Sequence, residues 1–246
     1  MIGAIIQARV GSSRFPNKIF AEIEGFPLIW HVFNRVKASS FIQKIVVATS
    51  VDKKDDSLEE WCVRNNIFVF RGNKENVLER FYFAAKEFNL SIIVRITADD
   101  PFKDPKIIDN AIAILINEKL DFVYNNNPPS FPEGLDTEVF KYEALEIAFM
   151  NARDPFEKEH VTPYLYSHPD IIKQKNISLG KNLSHLRWTI DYPEDLEMAR
   201  EVYKYLYKKN PLFEFQDILD LLEERPYIKE INAKVERSAF YKNLKY

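Results

Sequence analysis

The feature that most constrains this chain is an alternation through its first half. Short runs that are apolar on both faces are followed by stretches whose apolar residues fall at helical spacing. Residues 2–8, 44–50, 67–70 and 92–97 read as strands, and residues 27–38, 56–65, 75–88 and 104 to about 119 read as helices. In the first helix Leu28, Ile29, Val32, Phe33 and Val36 share one face. In the fourth, Asp104 is placed to cap and Pro105 to occupy the first turn. Strands apolar on both faces belong in a parallel sheet covered by helices. Right-handed crossovers then give an α/β fold, doubly wound, with a mostly parallel sheet sandwiched by helices. Ligands of such sheets collect beyond the carboxyl ends of the strands. The loops at 11–18, 50–55, 71–76 and 98–104 are therefore expected to converge.

The pattern changes after Asp121. Strands are predicted at 122–125, 137–140, 172–178 and 185–190, the last running into Asp191, and helices at 142–151, 157–167, 193–208 and 215–224. Glu194 and Asp195 fall in the first turn of the 193–208 helix, where its dipole favours them. Residues 1–246 read as a single domain, with 126–184 as an inserted β/loop region forming an acceptor site. Phe131, Phe156 and Tyr166 in that insertion are expected to be exposed and to offer a homodimer contact.

Composition excludes several function classes. The formal net charge is −3, from 34 basic and 37 acidic residues, which does not suit a nucleic-acid surface built on clustered cations. The one cysteine, Cys62, allows no internal disulfide, and no Cys/His spacing suits zinc. No apolar stretch approaches the ~20 residues that span a bilayer. The chain begins directly on a strand-like run without a basic leader, so a cytoplasmic protein with no membrane partner is expected.

The segment richest in chemistry follows the first strand: Ala8, Arg9, Val10, Gly11, Ser12, Ser13, Arg14, Phe15, Pro16, Asn17 and Lys18. A triphosphate carries roughly four negative charges and needs inward N–H groups with Arg or Lys. Here Gly11 permits close backbone approach, the serines supply hydroxyls, and Arg9, Arg14 and Lys18 supply charge, with Lys18 expected in a solvent-facing loop. The spacing matches neither the Walker A loop nor the dinucleotide fingerprint. A solvated turn bearing surface cations is the plain alternative.

This run, read as A-R-x-G-S-x-R-[LF]-P-x-K, resembles the signature of the cytidylyltransferase family. The nearest branch is the spore coat polysaccharide biosynthesis protein F-like one, related to CMP-ketodeoxyoctonate and CMP-sialate synthetases. The resemblance continues at 46–50, 69–72, 77–81, 94–101, 131–140, 159–164 and 183–197, and so covers residues 2 to about 203. Two departures stand in the fourth of these: Ala98 replaces the family's Gly, and Asp100 the branch's usual Cys.

The resemblance implies an enzyme that transfers CMP from CTP to a sugar, sugar acid or sugar-like phosphate acceptor and releases pyrophosphate. It implies nucleotide contacts at Ala8, Arg9, Gly11, Ser12, Ser13 and Arg71. It also implies a catalytic set of Arg14, Lys18 and Asp99, with Mg²⁺ held by Asp99 and Asp191, whose alternative role is helix capping. Glu138 resembles an acidic residue that binds sugar hydroxyls. Arg187 offers a planar fork for an acceptor phosphate or carboxylate, or else a structural ion pair. His160 and His185 read as orienting or packed polar residues, and His31 as structural. Two competing activities remain open: a sugar-1-phosphate nucleotidyltransferase using another triphosphate, and a metal-dependent glycosyltransferase in which Asp99 and Asp100 form the acidic pair. The cationic loop counts against the second.

Overall fold

Strand β1 (Ile2–Gln7) forms the axis of the structure, a computed structural model that describes residues 1–12 and 14–237. Ser13, one of the expected nucleotide contacts, and the tail from 238 onward lie outside the described residues. After β1 come a small hairpin of β2 (Glu22–Ile23) and β3 (Phe26–Pro27), then α1 (Leu28–Lys37), β4 (Lys44–Ser50), α2 (Asp56–Arg64), β5 (Phe68–Gly72), α3 (Val77–Glu87), β6 (Ile92–Thr97) and α4 (Pro105–Asn117). The second half adds β7 (Phe122–Tyr124), β8 (Glu138–Lys141), α5 (Tyr142–Asn151), α6 (Pro155–His160), α7 (Pro163–Ser167), β9 (Gln174–Asn176), α8 (Pro193–Leu206), α9 (Phe215–Glu224) and α10 (Tyr227–Glu230). The main sheet runs β5-β4-β1-β6-β8-β7-β9, with β8 antiparallel to both neighbours and every other pair parallel. The doubly wound, mostly parallel reading holds.

The two-faced apolar strands explain the sandwich. Along β1, Ala4 and Ile6 pack with Ile29, Val32, Leu58, Ile108 and Ile112 from α1, α2 and α4. Ile5 points the other way, into Leu78, Phe81, Ala85, Ala144 and Leu145 from α3 and α5. Successive side chains of a strand alternate faces, so one apolar run feeds both cores. A third cluster joins the chain after β6 to the C-terminal helices, around Phe102, Trp188, Ile190, Val202, Tyr203 and Phe213. His31 belongs to this packing as expected: its Nε2 bonds the Ile23 carbonyl at 2.8 Å and its ring meets Tyr203 edge-on. No helix among the described residues is long and apolar enough to cross a membrane.

Four expectations need correction. Residues 185–190 form no strand, only an isolated bridge between Glu133 and Arg187. Their backbone groups are satisfied one at a time, Trp188 N–H by the Glu133 carbonyl and Ile190 N–H by the Asp99 carbonyl. The helix expected over 157–167 splits into α6 and α7 at Val161, whose φ of 73° ends one helix before Pro163 opens the next. The segment 126–184 is woven into the sheet, since its strand β8 lies between β6 and β7. Finally, Phe131 and Tyr166 are buried in the chain's own cores, and Phe156 is half-buried against His160. The expected aromatic dimer surface is therefore occupied from within.

Candidate active site

The loop after β1 is shaped by a buried carboxylate. Asp55 accepts from the Val10 N–H at 2.7 Å and from the Ser50 hydroxyl at 2.5 Å, which ties the chain beyond β1 to that beyond β4. Asn17 adopts φ 59°, the left-handed turn that Asn tolerates better than most residues, and Lys18 follows it inward. Lys18 is not solvent-facing: it is 8% exposed. Its Nζ donates to Asp99 Oδ2 at 2.7 Å, to Asp191 Oδ1 at 2.8 Å and to the Ile190 carbonyl at 2.8 Å. Burial alone would lower the Lys18 pKa, but the two carboxylates outweigh it and hold the ammonium above its ordinary value. Burial would likewise raise Asp99, and Lys18 overturns it, so that the carboxylate is ionised below the usual range.

Asp191 is fixed from its other side as well. Arg14 reaches Oδ1 at 2.8 Å while remaining half exposed, and Arg187 reaches Oδ2 at 3.2 Å. Arg187 in turn meets Glu133 at 2.7 Å and Asp195 at 2.9 Å. Asp195, fully buried, also accepts the Asp191 and Tyr192 N–H groups, and Asn232 bonds both Asp195 and the Arg187 carbonyl. Arg187 does not line the cavity and is buried in ion pairs with Glu133, Asp191 and Asp195. The capping at the start of α8 comes from Asp195, not from Asp191.

A cavity of about 350 Å³ opens over this cluster. Ala8, Arg9, Ser12, Arg14, Lys18, Asp99 and Asp191 line it, as does Glu138. Arg80 from α3 and Glu138 at the start of β8 line it together with Lys18. Glu138 is buried, and accepts from Thr162 and Tyr166 at 2.7 Å each and from Arg95. Burial would raise its pKa, but Arg95 and these bonds carry it below the carboxylate range. His160 lines the same end, and burial together with Arg95 lowers its pKa, keeping the imidazole neutral at neutral pH.

Gly11 and Arg71 do not line the cavity. A Cβ at Gly11 would meet open space, so no contact within the described chain demands glycine there. Arg71 is held at the far edge by Asp56 at 2.7 Å and Glu59 at 2.6 Å, with its Nε donating to the Ser50 carbonyl. Its guanidinium is thus engaged by α2 and the chain after β4 rather than by the cavity. Sequence reading missed Arg80, Arg95, Lys103, Glu133 and Asp195. A charged residue interrupting the apolar run of β6 was the available signal for Arg95.

No group of three or more His, Cys, Asp or Glu able to hold a metal occurs among the described residues. Asp99 and Asp191 do reach one cation together, the Lys18 ammonium, so two carboxylates, oxygen donors of the kind a divalent ion takes, face one point. Asp100 is committed elsewhere, to Thr97 Oγ1 at 2.5 Å and Lys103 Nζ at 2.9 Å. Both contacts fall on Asp100 Oδ2, and the residue also lines the cavity.

Comparison with known proteins agrees with the cleft. The profile of the family described as Cytidylyltransferase matches residues 3–242. An uncharacterized protein of Methanocaldococcus jannaschii is 35% identical over 238 residues, covering 96% of each chain. The spore coat polysaccharide biosynthesis protein SpsF of Bacillus subtilis is 33% identical over 242 residues, covering 96% of this chain and 97% of its own. Among solved structures, a cytidylyltransferase from Leptospira borgpetersenii superposes with a TM-score of 0.88 at 32% identity, covering 93% of this chain and 96% of its own.

Proposed function

The chain belongs to the cytidylyltransferase family, and we propose that it transfers CMP from CTP to a sugar, sugar acid or sugar-like phosphate, releasing pyrophosphate, in the synthesis of a cell-surface polysaccharide or glycan. The polysaccharide context rests on the name of the Bacillus subtilis relative. The chemistry rests on one observation: Lys18, at the end of the cationic loop, is joined to Asp99 and Asp191 in the cleft that Arg95, Glu138 and His160 also line.

In this reading an acceptor oxygen forms a bond to the α-phosphorus as the bond from that phosphorus to the β-phosphate oxygen breaks, and the electron pair leaves on pyrophosphate. Positioning and charge neutralisation carry most of such a reaction. Lys18 and Arg14, both on Asp191, supply the positive charge that would neutralise the departing phosphates. Mg²⁺, held by Asp99 and Asp191, would neutralise phosphate oxygens when bound. Glu138 positions Arg95, Thr162 and Tyr166 around the acceptor end. A phosphate acceptor arrives as a nucleophile, whereas a hydroxyl acceptor gives up a proton, and the neutral His160 lies at that end to take it.

Calorimetric titration with the four nucleoside triphosphates in Mg²⁺ tests the reading. CTP is expected to bind at least about tenfold more tightly than UTP, a difference of about 1.4 kcal/mol. UTP or GTP binding tenfold more tightly than CTP would replace this reading with a sugar-1-phosphate nucleotidyltransferase of another base.

A further inference from the structure

The cations that line the cleft divide into two groups. Arg14 and Lys18 are paired with Asp191 and Asp99, Lys74 with Asp52, Arg95 with Glu138 and Lys103 with Asp100. Arg9 and Arg80 line the same cleft, and neither forms an ion pair among the described residues. Arg9 is exposed to water, which solvates it. Arg80, in the first turns of α3, is only 4% exposed. One of its nitrogens, Nη1, donates to the Asn73 carbonyl at 2.9 Å, while Nε is buried without a hydrogen-bond partner. Asp55 attracts it at longer range, but that carboxylate is already committed to the Val10 N–H and Ser50. Burial, and then the like charge of Arg9, push the Arg80 pKa down to about 10.

A guanidinium withdrawn from water without an anion is unfavourable, and a second cation beside it makes it more so. An anion entering the cleft offsets both. A forked, always-charged donor is also the side chain best suited to phosphate oxygens. We propose that Arg80, acting with Arg9, binds a phosphate of the nucleotide's triphosphate tail, on the α3 side of the cleft from Lys18. The assignment rests on the cytidylyltransferase reading of this cleft and adds a residue to it. It also divides the labour among the cations. Lys18 and Arg14 are neutralised by the aspartates before substrate arrives, so the uncompensated attraction for a polyanion comes from Arg9 and Arg80.

The test is a calorimetric titration of the wild type, Arg80→Gln, Arg80→Lys and Arg9→Gln with CTP, CMP and cytidine in Mg²⁺. Arg80→Gln is expected to weaken CTP at least tenfold while cytidine binding stays within twofold of wild type, and Arg80→Lys is expected to recover part of the loss. Arg9→Gln, at an exposed position that does not threaten folding, is expected to show the same selective loss. Equal weakening of cytidine and CTP in Arg80→Gln would make the residue merely structural and overturn the assignment. So would CTP affinity unchanged in both glutamine variants. A wild type that binds no CTP would overturn the functional reading itself, whereas a wild type that binds CTP beside unaffected variants would overturn only the roles of Arg80 and Arg9.

Discussion

Lys18→Met is expected to lose activity and stability together. Removing a preorganised charge contact of this kind costs about 10²-fold or more in turnover. The stability loss arises because Asp99 and Asp191 then face the same space with their shared cation gone. Breaking a buried pair by removing one partner costs about 3–5 kcal/mol, and the partial exposure of Asp99, 26% at its side chain, puts the expectation at the lower end. The pH dependence of the wild type follows from the signs. The Lys18 pKa is raised in the folded state, so its contribution is complete below the ordinary value of 10.5 and fades as pH rises through the folded one. The Asp99 pKa is lowered, so its contribution is complete above 3.8 and is lost as pH falls through the folded value. The cluster is therefore at full strength across the neutral range. Urea unfolding at pH 7 with a pyrophosphate-release assay checks both halves, and near-wild-type stability in Lys18→Met would show that the bridge carries little.

Arg187→Met is expected to destabilise by about 3–5 kcal/mol, because it leaves Glu133, Asp191 and Asp195 buried around a missing charge. Each of these carboxylates is at most 8% exposed at the side chain, so water cannot replace the guanidinium without rearrangement. Turnover is expected to fall as well, since Asp191 loses one of its three cations. An acceptor-binding arginine would behave differently: its loss would raise the acceptor KM and leave unfolding unchanged. Denaturation and steady-state kinetics on one preparation separate the two, and an unaltered midpoint would return Arg187 to the acceptor site.

The sequence revealed the frame of this enzyme more readily than its wiring. Strands β1, β4, β5 and β6 were legible because each run, such as 44–50, is apolar toward both cores, a pattern that depends on nothing distant; the two-residue strands β2 and β3 carry no such run. The segment 185–190 carries similar residues, yet its backbone is held by Glu133 and Asp99 rather than by a ladder, and no local pattern announces that. Charge partners were harder still. Lys18 reads as a loop cation because Asp99 and Asp191, 81 and 173 residues away, are brought to it only by the sheet order. Family resemblance put Arg71 on the nucleotide, whereas its neighbours on α2 claim it here. It covered Arg80 within 77–81 without giving it a role, and the buried Nε that lacks a partner among the described residues shows only in the fold.

The central claim is that the α-phosphate of CTP becomes the linkage to the acceptor. CTP labelled at the α-phosphate, incubated with Mg²⁺ and a pool of sugar acids, sugar phosphates and polyols, tests it most directly, with a parallel reaction labelled at the γ-phosphate. The account predicts that the α-label passes into an acceptor-linked product that survives phosphatase, that the γ-label appears in pyrophosphate, and that Lys18→Met does neither. Transfer of α-label from UTP but not from CTP, or consumption of a nucleotide-sugar while CTP remains intact, would contradict it.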